Sequence, residues 1–195
     1  KLKQLKIPCI ETTRNMTDLK GTNSQIVTKP DKGAGSENIQ LISQKELFKN
    51  KITTQSLVFQ PFIKGIAGSM TILCANGKGT ILSLNKHITK QDGKSLKQVG
   101  SIVGGLEYYN EELISLSQSV CSKFPGLFGF IGIDIINDKK NWKVIEINPR
   151  FTTTFCGMSG SYGQQANKII RDFYIYKEKI FLKKLKFIKE TKVFF

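Results

Sequence analysis

The chain has 195 residues, 39% of them hydrophobic and 10% aromatic, with 17 Gly, 5 Pro and 4 Cys. That length suits one domain or two small lobes sharing a site, and the composition excludes a disordered, fibrous or low-complexity protein. The net charge of +15 would point to nucleic acid, but only three of the 30 basic residues are Arg (Arg14, Arg150, Arg171). Specific nucleic-acid readers lean on the planar Arg fork, so dispersed Lys reads as a solvated surface.

The longest apolar passage, 124–136, is broken by Pro125, three glycines and Asp134. No stretch approaches the ~18 residues of a membrane span, and no signal-like segment follows Lys1. The expectation is a cytoplasmic excerpt of a longer protein. Cys9, Cys74, Cys121 and Cys156 are far apart and His87 is the sole histidine, so zinc-ligand spacing is absent.

In chain order, 1–6 reads as the end of a helix and 25–29 as a strand stopping at Pro30. A second short strand falls at 38–42, and 43–51 reads as a helix whose Ser43 and Glu46 fit a capping box. Residues 56–63 are apolar and β-branched enough for a strand. Strands at 69–75 and 80–84 flank Asn76-Gly77, a hairpin turn signal. The polar, glycine-containing stretch 86–101 reads as a mobile loop. A helix is expected over 110–123 with Asn110 as its cap, strands over 128–136 and 142–147, and a helix over 163–177.

Three segments carry chemistry. In the first, a strand ends in Lys29 and is followed by Gly33-Ala34-Gly35-Ser36. Glycines let backbone N–H groups approach oxyanions, and the lysine adds a point charge, which together make a phosphate grip. The second pairs Asp134 on one strand with Glu146 and Asn148, which share a face of the next. Two carboxylates and an amide oxygen in apolar strands form a hard-oxygen site suited to Mg²⁺, with Arg150 just beyond. The competing reading pairs the two acids with lysines on a solvent face. The third segment, Gln60-Pro61-Phe62-Ile63 at the end of a strand, offers free backbone groups to a flat heterocycle, although alone it reads as core.

Together, VTKPDKGAGSENI, VFQPFIKG and GIDIIND…WKVIEINPR resemble the strand-end lysine loop, adenine hinge and metal strands of the ATP-grasp superfamily. EINPRFTTTFCG, preceded by SLNK and VGG, most resembles the group that includes tyramine–glutamate ligase. The resemblance covers about residues 5–165 and implies an α+β fold, with two subdomains holding ATP between antiparallel sheets and an upstream N-terminal domain missing. It implies the end of a preceding helix and connector at 1–20, a small lobe at 21–58, a large lobe at 59–177 and a Lys/Phe-rich tail at 178–195.

The implied activity is an ADP-forming carbon–nitrogen ligase joining a small carboxylate to an amine through an acyl phosphate, with ATP and Mg²⁺ (or Mn²⁺) as cofactors. The alternative is a non-catalytic nucleotide-binding or regulatory fragment. On the resemblance, Asp134, Glu146 and Asn148 hold metal. Lys29, Gly33, Gly35 and Ser36 hold phosphate, Gln60, Pro61, Phe62 and Ile63 hold adenine, and Arg150 with Lys29 acts in catalysis. Ala67 stands where relatives place a ribose-binding carboxylate.

Overall fold

The computed structural model describes residues 1–19, 25–32, 38–49, 56–176 and 185–195. These fall into two compact units. Unit 1 comprises Lys1–Cys9, Gly65–His87 and Gly100–Phe195; unit 2 comprises Ile10–Lys64 and Ile88–Val99.

In unit 2, β1 (Gln25–Pro30) pairs antiparallel with β2 (Gln40–Ser43) on one side and β3 (Leu57–Pro61) on the other. Alternation puts Ile26 and Thr28 of β1 inside, and Ile26 joins Leu19, Ile42 and Phe59 in a small core. The capping box forms at the start of α1 (Gln44–Lys49): the Glu46 N–H donates to Ser43 Oγ over 3.2 Å, and the Ser43 N–H donates back to Glu46 Oε2 over 3.4 Å.

In unit 1, β4 (Ile66–Ala75) lies between β5 (Lys78–Asp92) and β7 (Gly129–Asn137), and β8 (Trp142–Asn148) follows β7, all antiparallel. The β4–β5 turn is the expected one: Asn76 and Gly77 both have positive φ, 50° and 73°. One sheet face presents Met70, Ile72, Ile131 and Ile133 to Leu113, Leu116 and Val120 of α2 (Asn110–Lys123). The other presents Leu73, Leu82 and Phe130 to α3 (Phe155–Tyr162) and α4 (Gln164–Tyr176), through Met158, Tyr162, Ile170 and Phe173. Each fully buried aliphatic or aromatic side chain there contributes about 1.5–3 kcal/mol. Among the described residues, no helix is long and apolar enough to cross a membrane.

Residues 1–6 form turns rather than the end of a helix, and other local expectations are corrected as well. Residues 86–101 are not a loop: β5 continues to Asp92, Gly93 turns at φ 54°, and β6 spans Ser95–Val103. The helix at 110–123 has the expected bounds, but Asn110 is its first residue and Tyr109 precedes it without a side-chain cap bond. α3 was not foreseen, because its FCGMSGSY sequence is poor in helix formers. Packing explains it: a Cβ at Gly157 would strike Val103 and Val193, and one at Gly160 would strike Thr191. The tail ends in β9 (Thr191–Phe194), which pairs with β6.

Candidate active site

The β7–β8 hairpin positions the acids. Its register pairs Gly132 with Asn148 and Asp134 with Glu146, then shifts between Asp134 and Ile135. Side chains two apart on a strand share a face, so Glu146 and Asn148 stand on the face of Asp134. The Asn148 amide N–H donates to Asp134 Oδ2 over 3.1 Å. Among the described residues its Oδ1 is met only by a long 3.5 Å contact from an Arg150 guanidinium N–H.

The turn that closes the hairpin is built from side-chain acceptors. Asp138 Oδ1 takes the N–H groups of Lys140 and Asn141, at 3.1 and 2.9 Å, and Lys143 Nζ donates to Asp138 Oδ2 over 2.6 Å. The Lys143 hydrogen bond, aided by the two backbone N–H groups, holds the Asp138 carboxyl well below the usual carboxylate range. The Asp134–Glu146 pairing thus rests on a turn four residues away in sequence.

Beside the acids lies a polar band that sequence reasoning missed. Asn85 and Thr71 are fully buried. The Asn85 amide N–H groups donate toward Ser69 Oγ at 3.3 Å and Thr71 Oγ1 at 3.2 Å. Thr71 Oγ1 in turn lies 3.2 Å from Thr154 Oγ1, which is 2.9 Å from Thr152 Oγ1. This chain of contacts ties the segment after Arg150 to β4 and β5. His87, also on β5, was missed as well: its Nε2 lies 3.8 Å from Asp134 Oδ1. Burial pushes its imidazole pKa down to about 4, against an opposing pull from the Glu146 charge. The sequence carried one usable signal, the i, i+2 placement of Asn85 and His87 on one strand face.

The donor set fits Mg²⁺, because carboxylate and amide oxygens are hard ligands. Among the described residues no three His, Cys, Asp or Glu side chains cage a metal by themselves. Mg²⁺ is usually held by one or two carboxylates with phosphate and water completing the shell.

The other expected residues lie in unit 2. Lys29 is on β1 opposite Val58. The Gln60 side chain is buried and donates from Nε2 to Thr12 Oγ1 over 2.8 Å, so any heterocycle at this strand end would meet backbone rather than the Gln60 amide. Pro61 closes β3, the Phe62 N–H donates to Gln25 O over 3.1 Å, and Ile63 is half-buried. Gly33, Gly35 and Ser36 lie outside the described residues.

The chain belongs to the ATP-grasp domain family, whose model matches residues 1–154. ATP and Mg²⁺ are the nucleotide and metal of that family. The chain is 28% identical over 110 residues to tyramine–L-glutamate ligase of Methanocaldococcus fervens, a match covering 56% of this chain and 36% of that protein. The Methanocaldococcus jannaschii enzyme of the same name matches at 28% over 110 residues, covering 34% of its length. The match thus spans well under half of these relatives.

Two solved structures share the fold. L-amino acid ligase from Bacillus licheniformis superposes with a TM-score of 0.67 at 18% identity, covering 88% of this chain and 44% of that one. The biotin carboxylase domain of Hydrogenobacter thermophilus 2-oxoglutarate carboxylase, solved with MgADP, ADP and bicarbonate, gives 0.76 at 15% identity, with 98% and 47% coverage.

Proposed function

We propose that this chain is the ATP-binding core of a carboxylate–amine ligase that forms an amide through an acyl phosphate and releases ADP, with chemistry like that of tyramine–glutamate ligase. The observation that carries the reading is the Asp134–Glu146 cross-strand pair, with Asn148 bonded to Asp134 and Arg150 at the end of the same strand. Adenine binding alone would need none of these groups.

Asp134, Glu146 and Asn148 Oδ1 would hold the metal. Bound Mg²⁺ neutralises phosphate charge and aligns the transferred group, which is most of what phosphoryl transfer asks of an enzyme. Arg150, exposed at the strand end, would stabilise the charge on the transferred phosphoryl group. Lys29 would neutralise the α- and β-phosphates, with Gly33, Gly35 and Ser36 closing over them. The backbone from Gln60 to Ile63 would receive adenine. In this reading 1–20 is a connector, 21–58 the small lobe, 59–177 the large lobe and 178–195 a tail, and an upstream domain of the parent chain helps bind the carboxylate. We assign the protein to the cytoplasm on its four free thiols.

The test is ADP release by the parent protein against a panel of amino acids and amines, with hydroxylamine added to trap acyl phosphate as hydroxamate. The reading expects ADP release that needs a carboxylate, and hydroxamate in its presence. ATP binding without carboxylate-dependent turnover for any pair would leave the regulatory alternative.

A further inference from the structure

The segment after Arg150 carries two phenylalanines that the reading above leaves unused, Phe151 and Phe155. With Phe128 and Tyr174 they form one patch of aromatic rings, each between 37% and 51% exposed. The Phe151 ring lies 5.1 Å from that of Phe155 and 6.3 Å from that of Tyr174, which is 6.4 Å from Phe128. Single exposed apolar side chains need no explanation, but a contiguous patch marks a surface that receives something. This one is firmly built. Phe151 stacks at 4.5 Å on the buried Phe130 ring, and the Tyr174 hydroxyl accepts the Phe130 N–H over 2.8 Å. Gly129, at φ 88°, makes room for that phenol, since a Cβ there would lie 2.5 Å from its oxygen.

The patch lies alongside the acids within unit 1. Phe130, Gly132 and Asp134 share one face of β7, so about 13 Å of strand separates Phe130 from Asp134. Thr152 packs on the strand between them: a Cβ on Gly132 would lie 2.5 Å from its methyl carbon. Arg150 bridges the two ends. Its exposed guanidinium donates to Phe151 O over 3.2 Å and to Asn148 Oδ1 over 3.5 Å, and among the described residues no carboxylate pairs with it. A cation beside an aromatic wall complements a molecule with a carboxylate at one end and a ring at the other. An amine of the same shape would bring a like charge to Arg150. We propose that Phe151, Phe155 and Tyr174 form the wall that selects the carboxylate substrate, an aromatic acid whose carboxyl and ring are joined by a short chain. The inference rests on the ligase reading above and names which of the two substrates carries the ring.

The experiment is a nuclear magnetic resonance titration of the chain, ¹³C-labelled at its Phe rings, with 3-phenylpropionate in the presence of MgADP. The expected result is saturable binding, with intermolecular Overhauser effects between the probe ring and labelled Phe rings. Phe155→Leu, which keeps an apolar side chain, should weaken the probe about fivefold. The amine of similar length, 2-phenylethylamine, should bind at least about tenfold more weakly, and Arg150→Gln should abolish that difference. Equal or tighter binding of 2-phenylethylamine overturns the inference by giving the ring to the amine. Binding without ring-to-ring effects also overturns it, as does no saturable binding of either probe, the outcome if another part of the parent chain covers the patch. Hydroxamate formation by the parent protein separates this inference from the ligase reading. Hydroxamate from aliphatic acids but not from 3-phenylpropionate overturns the inference alone, whereas none from any acid overturns the reading and the inference with it. The Overhauser effects are read on the unaltered chain, so a poorly folding variant leaves the test intact.

Discussion

Replacing Tyr162 by Phe deletes one oxygen atom from the junction between α3 and β5. Tyr162 is 1% exposed, and its hydroxyl donates to Glu107 Oε1 over 2.6 Å. The same oxygen accepts the Leu84 N–H over 3.0 Å, so a single carboxylate pins helix to strand. Hydrogen bonds to charged groups contribute about 1.5–3 kcal/mol. An unfolding entropy of about 2.1 cal/mol/K per residue gives about 0.41 kcal/mol/K for 195 residues. A loss of about 2 kcal/mol then lowers Tm by about 5 °C.

The pH dependence supplies a second signature of the same bond. Burial first, then the Glu107 charge and hydrogen bond, raise the Tyr162 pKa far above the ordinary phenol value. The unfolded chain ionises this phenol near 10 while the folded one keeps the proton. The stabilisation is therefore complete below pH 10 and falls above it by about 1.4 kcal/mol per pH unit. Thermal melts of both proteins from pH 8 to pH 11 should show a gap that is widest at pH 8 and closes upward. A gap under about 1 °C at pH 8, or one that does not close with pH, would refute the assigned bond.

Ser43→Ala should cost about 1 kcal/mol in urea unfolding by removing half of the α1 capping box, and an unchanged midpoint would contradict that role. Gly68→Ala would drive a Cβ into Asn85 O and Leu106 Cδ1, so a destabilisation of about 1–3 kcal/mol is expected by the same method. Lys29→Ala should weaken ATP severalfold more than adenosine in calorimetric titration, because a lysine on phosphate sees only phosphate charge. Equal losses for the two ligands would remove Lys29 from the phosphates.

The parts of this fold that were legible in sequence are those where local chemistry and tertiary context agree. Asn76-Gly77 announces its turn because both residues tolerate positive φ, and the Ser43–Glu46 box announces a helix start. Asp134, Glu146 and Asn148 were legible because a period of two fixes their common face once the hairpin is assumed. The second half of β5 was not legible. Its residues 86–92 are mostly exposed, so they lack the apolar alternation that marks a strand. That misreading also hid His87: its approach to Asp134 depends on β4 lying between β5 and β7, a long-range pairing that no local pattern encodes. α3 was hidden for the opposite reason, since its glycines oppose helix locally and exist for the strands that pack on them.

The central claim is that the β7–β8 carboxylates hold the metal that presents the nucleotide's phosphates. Its most direct test is calorimetric titration of ATP, with and without Mg²⁺, into the unaltered chain and into Glu146→Gln. The account predicts that Mg²⁺ tightens ATP binding to the unaltered chain at least about tenfold, equivalent to about 1.4 kcal/mol, and that Glu146→Gln loses most of this gain while binding adenosine as before. ATP affinity that is indifferent to Mg²⁺, or a gain that survives in Glu146→Gln, would contradict it.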